Sequence, residues 1–117
     1  MNDSILTTIK KLLGIGEEDT AFDTDIIIQI NMVFNILLQI GVGPVEGFSI
    51  SDNTATWSNY LSDISKLEMV KSYIYMKVRL AFDPPSTGSL MEALKAQIAE
   101  LEWRLNVQVD PGEEDGL

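Results

Sequence analysis

Apolar residues in this chain recur at spacings of three and four in about four stretches, each bracketed by residues that start or stop helices. Ile5, Leu6, Ile9, Leu12 and Leu13 share one face of a helix expected over about residues 4–13. Asp3 or Ser4 is placed to cap it and Gly14 to stop it, while Lys10 and Lys11 complement the dipole in its last turn. An acidic connection from Gly14 to Thr24 follows, carrying Glu17, Glu18 and Asp19. Asp23 or Thr24 then caps a second helix that runs to about Ile40. Ile26, Ile27, Ile30, Val33, Phe34, Leu37 and Leu38 cover most of its circumference, leaving only Asn31, Asn35 and Gln39 as a wet stripe. A helix this apolar is either central in its domain or covered by another subunit. A short chain has limited material with which to surround it.

The period breaks after Ile40. Gly41, Gly43, Pro44 and Gly47 precede the alternating Phe48-Ser49-Ile50-Ser51, which reads as a loop with a short extended segment or small hairpin, then a turn at Asp52-Asn53. Thr54 to Leu61 fits a strand or a short helix, with Trp57 and Tyr60 as its apolar anchors. A third main helix is expected from about Ser62 to Phe82, with Leu67, Val70, Ile74, Val78 and Ala81 on its inner face. Ser65-Lys66-Leu67-Glu68 fits a capping box, and Ser62 or Asp63 offers an earlier start. Pro84-Pro85 ends this helix, because the residue before a proline is pushed out of the α region. The last helix opens behind a second box, Ser89-Leu90-Met91-Glu92, and continues to about Asn106. Met91, Leu94, Ile98, Leu101 and Leu105 form its seam, which is too short for a free-standing coiled coil and so packs on the third helix. Trp103 falls on the opposite side, near Ala96 and Ala99, either as a second contact within the domain or as an anchor for a neighbouring chain.

The expected architecture is therefore mainly α: a small helical bundle of about four helices, with a loop or short β-hairpin insertion between the second and third main helices. One domain covers residues 1–107, and residues 108–117, with Asp110, Glu113, Glu114 and Asp115, have the composition of an acidic, disordered tail.

Composition narrows the chemistry. With 117 residues and 45% hydrophobic content, one modest core is expected. The absence of cysteine and histidine removes disulfides, thiolate nucleophiles, Cys/His zinc sites and imidazole catalysis. The serines then lack the partner of the common triad. Neither Glu17-Glu18-Asp19 nor Glu113-Glu114-Asp115 has the alternating oxygen spacing of a calcium loop. Gly41-Val42-Gly43 lacks the third glycine and the lysine of a phosphate cradle. No enzymatic activity, metal or cofactor is expected. Asp3 stands where a signal peptide would carry a basic residue. Residues 26–45 hold no charge, but their helical part before Gly41 spans only roughly 22 Å, short of a bilayer core, and is interrupted by polar amides. A buried soluble helix is expected there, and no membrane partner. Eighteen acidic against eight basic side chains give a net charge of −10, which argues against a broad grip on phosphates. Such a surface suits solubility, a basic partner, or a lumen through which DNA slides without sticking.

The order of these parts across about residues 4–107 resembles that of the head–tail connector (adaptor) proteins of tailed double-stranded DNA bacteriophages and prophages. The resemblance rests on DTDIIIQINMVFNILLQIGVGP, GFSISDNTATWSNYL, LEMVKSYIYMKVRLAFDPP and ALKAQIAELEWRLNV, with YIYMKVRLAFDPP and ELEWRLN the most diagnostic segments. It implies a mostly helical subunit that assembles into a ring, commonly twelve- or thirteenfold. That ring would dock beneath the phage portal protein, receive the tail-joining (stopper) protein, and extend the channel that DNA traverses without sequence-specific binding. The location implied is the head–tail interface of the virion, with the host bacterial cytoplasm as the place of assembly.

Within that frame, Phe34, Leu38 and Trp103 are the candidate subunit-interface residues, being on surfaces one small domain cannot easily cover. Gly41, Gly43, Gly47, Phe48 and Ile50 mark a candidate portal- or channel-facing loop, since glycines permit rearrangement on docking. Two other classes compete. A small acidic regulator, a DNA mimic or inhibitor, would occupy a basic nucleic-acid site and form no rings. A generic helical oligomer, a chaperone or scaffold, would need no portal.

Overall fold

The computed structural model describes residues 3–109. Five helices account for most of them: α1 (Ile5–Leu12), α2 (Asp23–Ile40), α3 (Trp57–Tyr60), α4 (Ile64–Phe82) and α5 (Gly88–Val109). No strand occurs among the described residues; the one β contact is an isolated antiparallel bridge between Ser4 and Thr56. α4 is the central element, packed on α2 and α5 over its length, with α1 laid against α2 and α4. α2 and α4 run antiparallel, and the edge-to-face pair Phe22–Phe82, 5.5 Å between centroids, ties the start of one to the end of the other.

The sequence explains most helix boundaries. Ser4 caps α1 by accepting from the Thr7 N–H at 3.1 Å. Asp63 caps α4 by accepting from the Ser65 N–H at 3.0 Å, so the earlier of the expected starts is the one used. α4 ends at Phe82, before the two prolines. Two caps differ from expectation. At α2 the N-cap is Phe22, with no side-chain bond, because Asp23 is drawn away to Lys10. At α5 the hydroxyl of Thr87, not Ser89, accepts from the Leu90 N–H at 3.3 Å. Its helix begins at Gly88, and the Ser89-Leu90-Met91-Glu92 box lies inside the first turn. α5 also continues through Gln108 to Val109, past the expected end near Asn106; the expected acidic tail from Asp110 onward lies outside the described residues.

The core is one cluster drawn from every helix. Ile5 and Ile9 of α1, Ile26, Ile30 and Leu37 of α2, Trp57 of α3, Val70, Tyr73, Ile74 and Val78 of α4, and Leu105 of α5 are fully buried. Each such aliphatic side chain contributes about 1.5–3 kcal/mol relative to exposure. Lys10 is buried with them, its ammonium 2.8 Å from Asp23 Oδ1 and donating to the Glu17 carbonyl at 3.1 Å. The angle to Asp23 is too poor for a directed hydrogen bond, so that contact is coulombic. Together the two contacts fold the acidic turn back onto the end of α1.

Of the loop or short hairpin expected between α2 and α4, no hairpin forms among the described residues. Ile50 pairs with a side chain instead: its N–H donates to Asn31 Oδ1 at 2.8 Å and its carbonyl accepts from Asn31 Nδ2 at 2.9 Å. Further on, Ile5 N–H donates to the Ala55 carbonyl and Trp57 N–H to the Asp3 carbonyl, while Trp57 Nε1 donates to Thr8 Oγ1 at 3.0 Å. Buried backbone groups must find partners, and here helices supply them, leaving no need for a second strand.

Candidate interaction surface

Two regions of the molecule hold the candidate residues: the connection after α2, and the face where α2, α4 and α5 leave apolar atoms uncovered.

Gly41 ends α2 in the left-handed conformation (φ 103°), and its N–H reaches the carbonyls of Leu37 and Leu38 at 3.0 Å each. Val42 N–H adds a bond to the Leu37 carbonyl at 2.8 Å, closing the C-terminal turn. Gly43 (φ 93°) passes over the Tyr60 ring so closely that a Cβ would stand 2.7 Å from it. Pro44 and Gly47 close a tight turn (Gly47 N–H to Pro44 carbonyl, 2.9 Å) that lifts Val45 to 94% exposure. Phe48 then returns to the body, meeting Phe34 edge-to-face at 5.2 Å and Tyr60 at 5.1 Å. Phe34 and Tyr60 are themselves 4.6 Å apart, completing an aromatic triad. Burial pushes the Tyr60 hydroxyl well above the usual tyrosine value.

The candidate interface residues separate in this geometry. Phe34 is 2% exposed and belongs to the subunit's own core, because the returning loop brings Phe48 across it. Leu38 is half-buried beneath Gly47. Trp103, in contrast, is 64% exposed. It stands with Ala99 and Glu102 on one wall of an open groove whose other wall is Ile36, Gln39 and Ile40 of α2. Ile36 also lines a second groove, with Met32 of α2 and Lys77, Leu80 and Ala81 of α4, so the two form a continuous face. Ile28 and Met32 extend the apolar stripe at 51% and 55% exposure.

The floor of that face is polar at one point. Tyr73, buried in α4, donates its hydroxyl to Glu102 Oε2 at 2.6 Å across the α4–α5 seam. Burial first, then the hydrogen bond and charge of Glu102, raise the Tyr73 pKa. Glu100 and Arg104 pair on the outer side of α5 at 3.0 Å.

Apolar patches of this kind, rimmed by amides and charges, mark interaction surfaces. Among the described residues the over-apolar α2 is covered only in part: Ile26, Ile30, Val33, Phe34 and Leu37 are buried, while Ile28 and Met32 stay exposed. By length and composition alone α2 would also suffice to cross a membrane, but here its inner side chains pack on α1, α4 and α5. Among the described residues no three acidic side chains converge on a possible metal position.

Periodicity placed Asn31 in the wet stripe of α2 and left Tyr73 off the inner face of α4, whereas Asn31 is half-buried and bonded to Ile50 and Tyr73 is fully buried. Asn31 shares the spacing of Asn35 and Gln39, and only its neighbour in space distinguishes it. A tyrosine three residues after Val70 carried a usable helical-face signal.

Residues 5–112 match the family model described as phage connector protein. No curated protein and no solved structure matches the chain.

Proposed function

From the premise that this chain belongs to the phage connector protein family, we propose that it is the head–tail connector subunit that forms a ring under the portal. In that role it joins the DNA-filled head to the tail-joining (stopper) protein and extends the DNA channel. The ring holds twelve or thirteen copies, sits in the virion, and assembles in the host bacterial cytoplasm. The observation that carries the oligomeric part is the uncovered α2 stripe beside Trp103, which a single domain leaves in water. A neighbouring subunit would cover it through lateral helix packing, with Trp103 as its aromatic anchor. A closed ring requires a heterologous contact, in which this face meets a different face of the next copy.

The segment 41–51 is the portal- or channel-facing element. Its turn projects Val45 away from the body, and its glycines tolerate rearrangement on docking. The net charge of −10 lets DNA pass without adhering.

Analytical ultracentrifugation of the protein alone and mixed with the portal protein of the same phage, then electron microscopy of any complex, tests the proposal. A ring on the portal is expected, and its subunits can be counted. Trp103→Ala should assemble at least tenfold less well while keeping its helical circular dichroism. A well-folded portal that binds nothing would sink the connector role and favour an acidic regulator.

A further inference from the structure

The segment from Val42 to Ile50 leaves the core and returns to it: Val42 and Ile50 are buried at its two ends, and a tight turn lies between them. At its far end the backbone is held by one side chain, because both bonds to Ile50 come from the Asn31 amide, while the Ile50 side chain is buried in the core. A single rotamer change at Asn31 releases both together. Its middle, the turn at Pro44–Gly47, points away from the core, with Val45 almost fully exposed. Phe48 is half-buried and rests on Phe34 and Tyr60. Beneath Gly43, the Tyr60 hydroxyl is buried and finds no hydrogen-bond partner among the described residues. The closed arrangement therefore carries a polar group that water would satisfy on opening.

We propose that residues 42–50 form a strap that opens as a unit when Asn31 releases Ile50, while the helical core stays packed. Opening bares one side of Phe34 and Tyr60 and gives the phenol to solvent. The two amide bonds and the burial of Phe48 and Ile50 oppose it; regained chain entropy and hydration of Tyr60 favour it. Burial of Val42 opposes it as well, but the side chains that move all come from the connection after α2 and none from α4 or α5, so the opening is local. It is a property of the free chain and does not depend on what the protein docks to.

Amide hydrogen exchange of the free protein, read residue by residue by NMR, decides the matter. The Ile50 N–H should exchange through an opening insensitive to low denaturant, well before Val70, Ile74 and Val78 in α4. Asn31→Leu, similar in size but lacking the amide, should speed Ile50 exchange on the order of tenfold or more and leave those α4 amides unchanged. Tyr60→Phe should slow it by removing the unsatisfied hydroxyl. Exchange of Ile50 together with the α4 amides at every denaturant concentration, seen in the unaltered protein, would overturn the strap. An Asn31→Leu variant with unchanged Ile50 exchange would overturn the latch.

Discussion

Gly43 is the position where one added atom matters most. Its φ of 93° is costly for any L side chain, and its Cβ would stand 2.7 Å from a Tyr60 ring already wedged against Phe34 and Phe48. Gly43→Ala should therefore cost about 2 kcal/mol or more, from backbone strain and overpacking together. A Tm lowered by on the order of 10 °C in differential scanning calorimetry is expected, and an unchanged Tm would mean that Tyr60 moves aside freely. The sequence marked this glycine as part of a turn but not as the lid of an aromatic cluster. Asn31 was equally opaque, since its spacing matched two amides that do face water. Lys10 and Asp23 each had a sound local role, dipole partner and cap, and they meet instead because the acidic turn brings the two helix ends together. A residue's local propensity is visible along the chain; its choice among competing partners is not.

At the scale of elements, α4 and α5 are joined by an apolar seam and one buried phenol–carboxylate bond. The raised pKa of Tyr73, and that of Tyr60 in the aromatic triad, make stability depend on pH in a stated direction. A group whose pKa is raised in the folded state contributes fully below its unfolded value, here 10.0, and that contribution is lost as pH rises toward the folded value. The Tm should hold up to about pH 10 and then fall by roughly 10 °C per pH unit, since each of the two groups contributes about 1.4 kcal/mol per unit. A variant carrying Tyr60→Phe and Tyr73→Phe should flatten this decline, and an equally steep decline would assign it to other groups. Helix ends were the most legible features at this scale. Ser4, Asp63 and Pro84-Pro85 act where their chemistry places them, because capping and proline effects are decided within a few residues. The seam positions Leu94, Ile98 and Leu105 are buried as their spacing requires. The hairpin failed because alternation over Phe48–Ser51 describes an extended backbone without saying what will pair with it.

For the whole molecule, the uncovered stripe of α2 is the feature on which the proposed assembly rests. Met32 lies in it, 55% exposed. Met32→Glu should leave the monomer's Tm within about 1 °C, since exposed substitutions rarely shift stability. The same charge would be buried in a lateral contact, so ring formation on the portal should fall at least tenfold in sedimentation analysis. Normal rings from this variant would move the interface off α2.

The chain alone determined its helical class, four of its helix spans to within a few residues, and the lack of histidine and cysteine chemistry, because each depends on local periodicity or on composition. It also carried the excess of apolar surface on α2, since a face too wide for one small domain can be counted along the sequence. Tertiary structure decided which apolar residues that excess comprises. Phe34 is taken into the core because the loop returns Phe48 over it, whereas Trp103 stays outside because none of the described residues reaches across α5 to cover it. Such outcomes depend on pairings between distant segments, and those pairings exist only once the chain has folded.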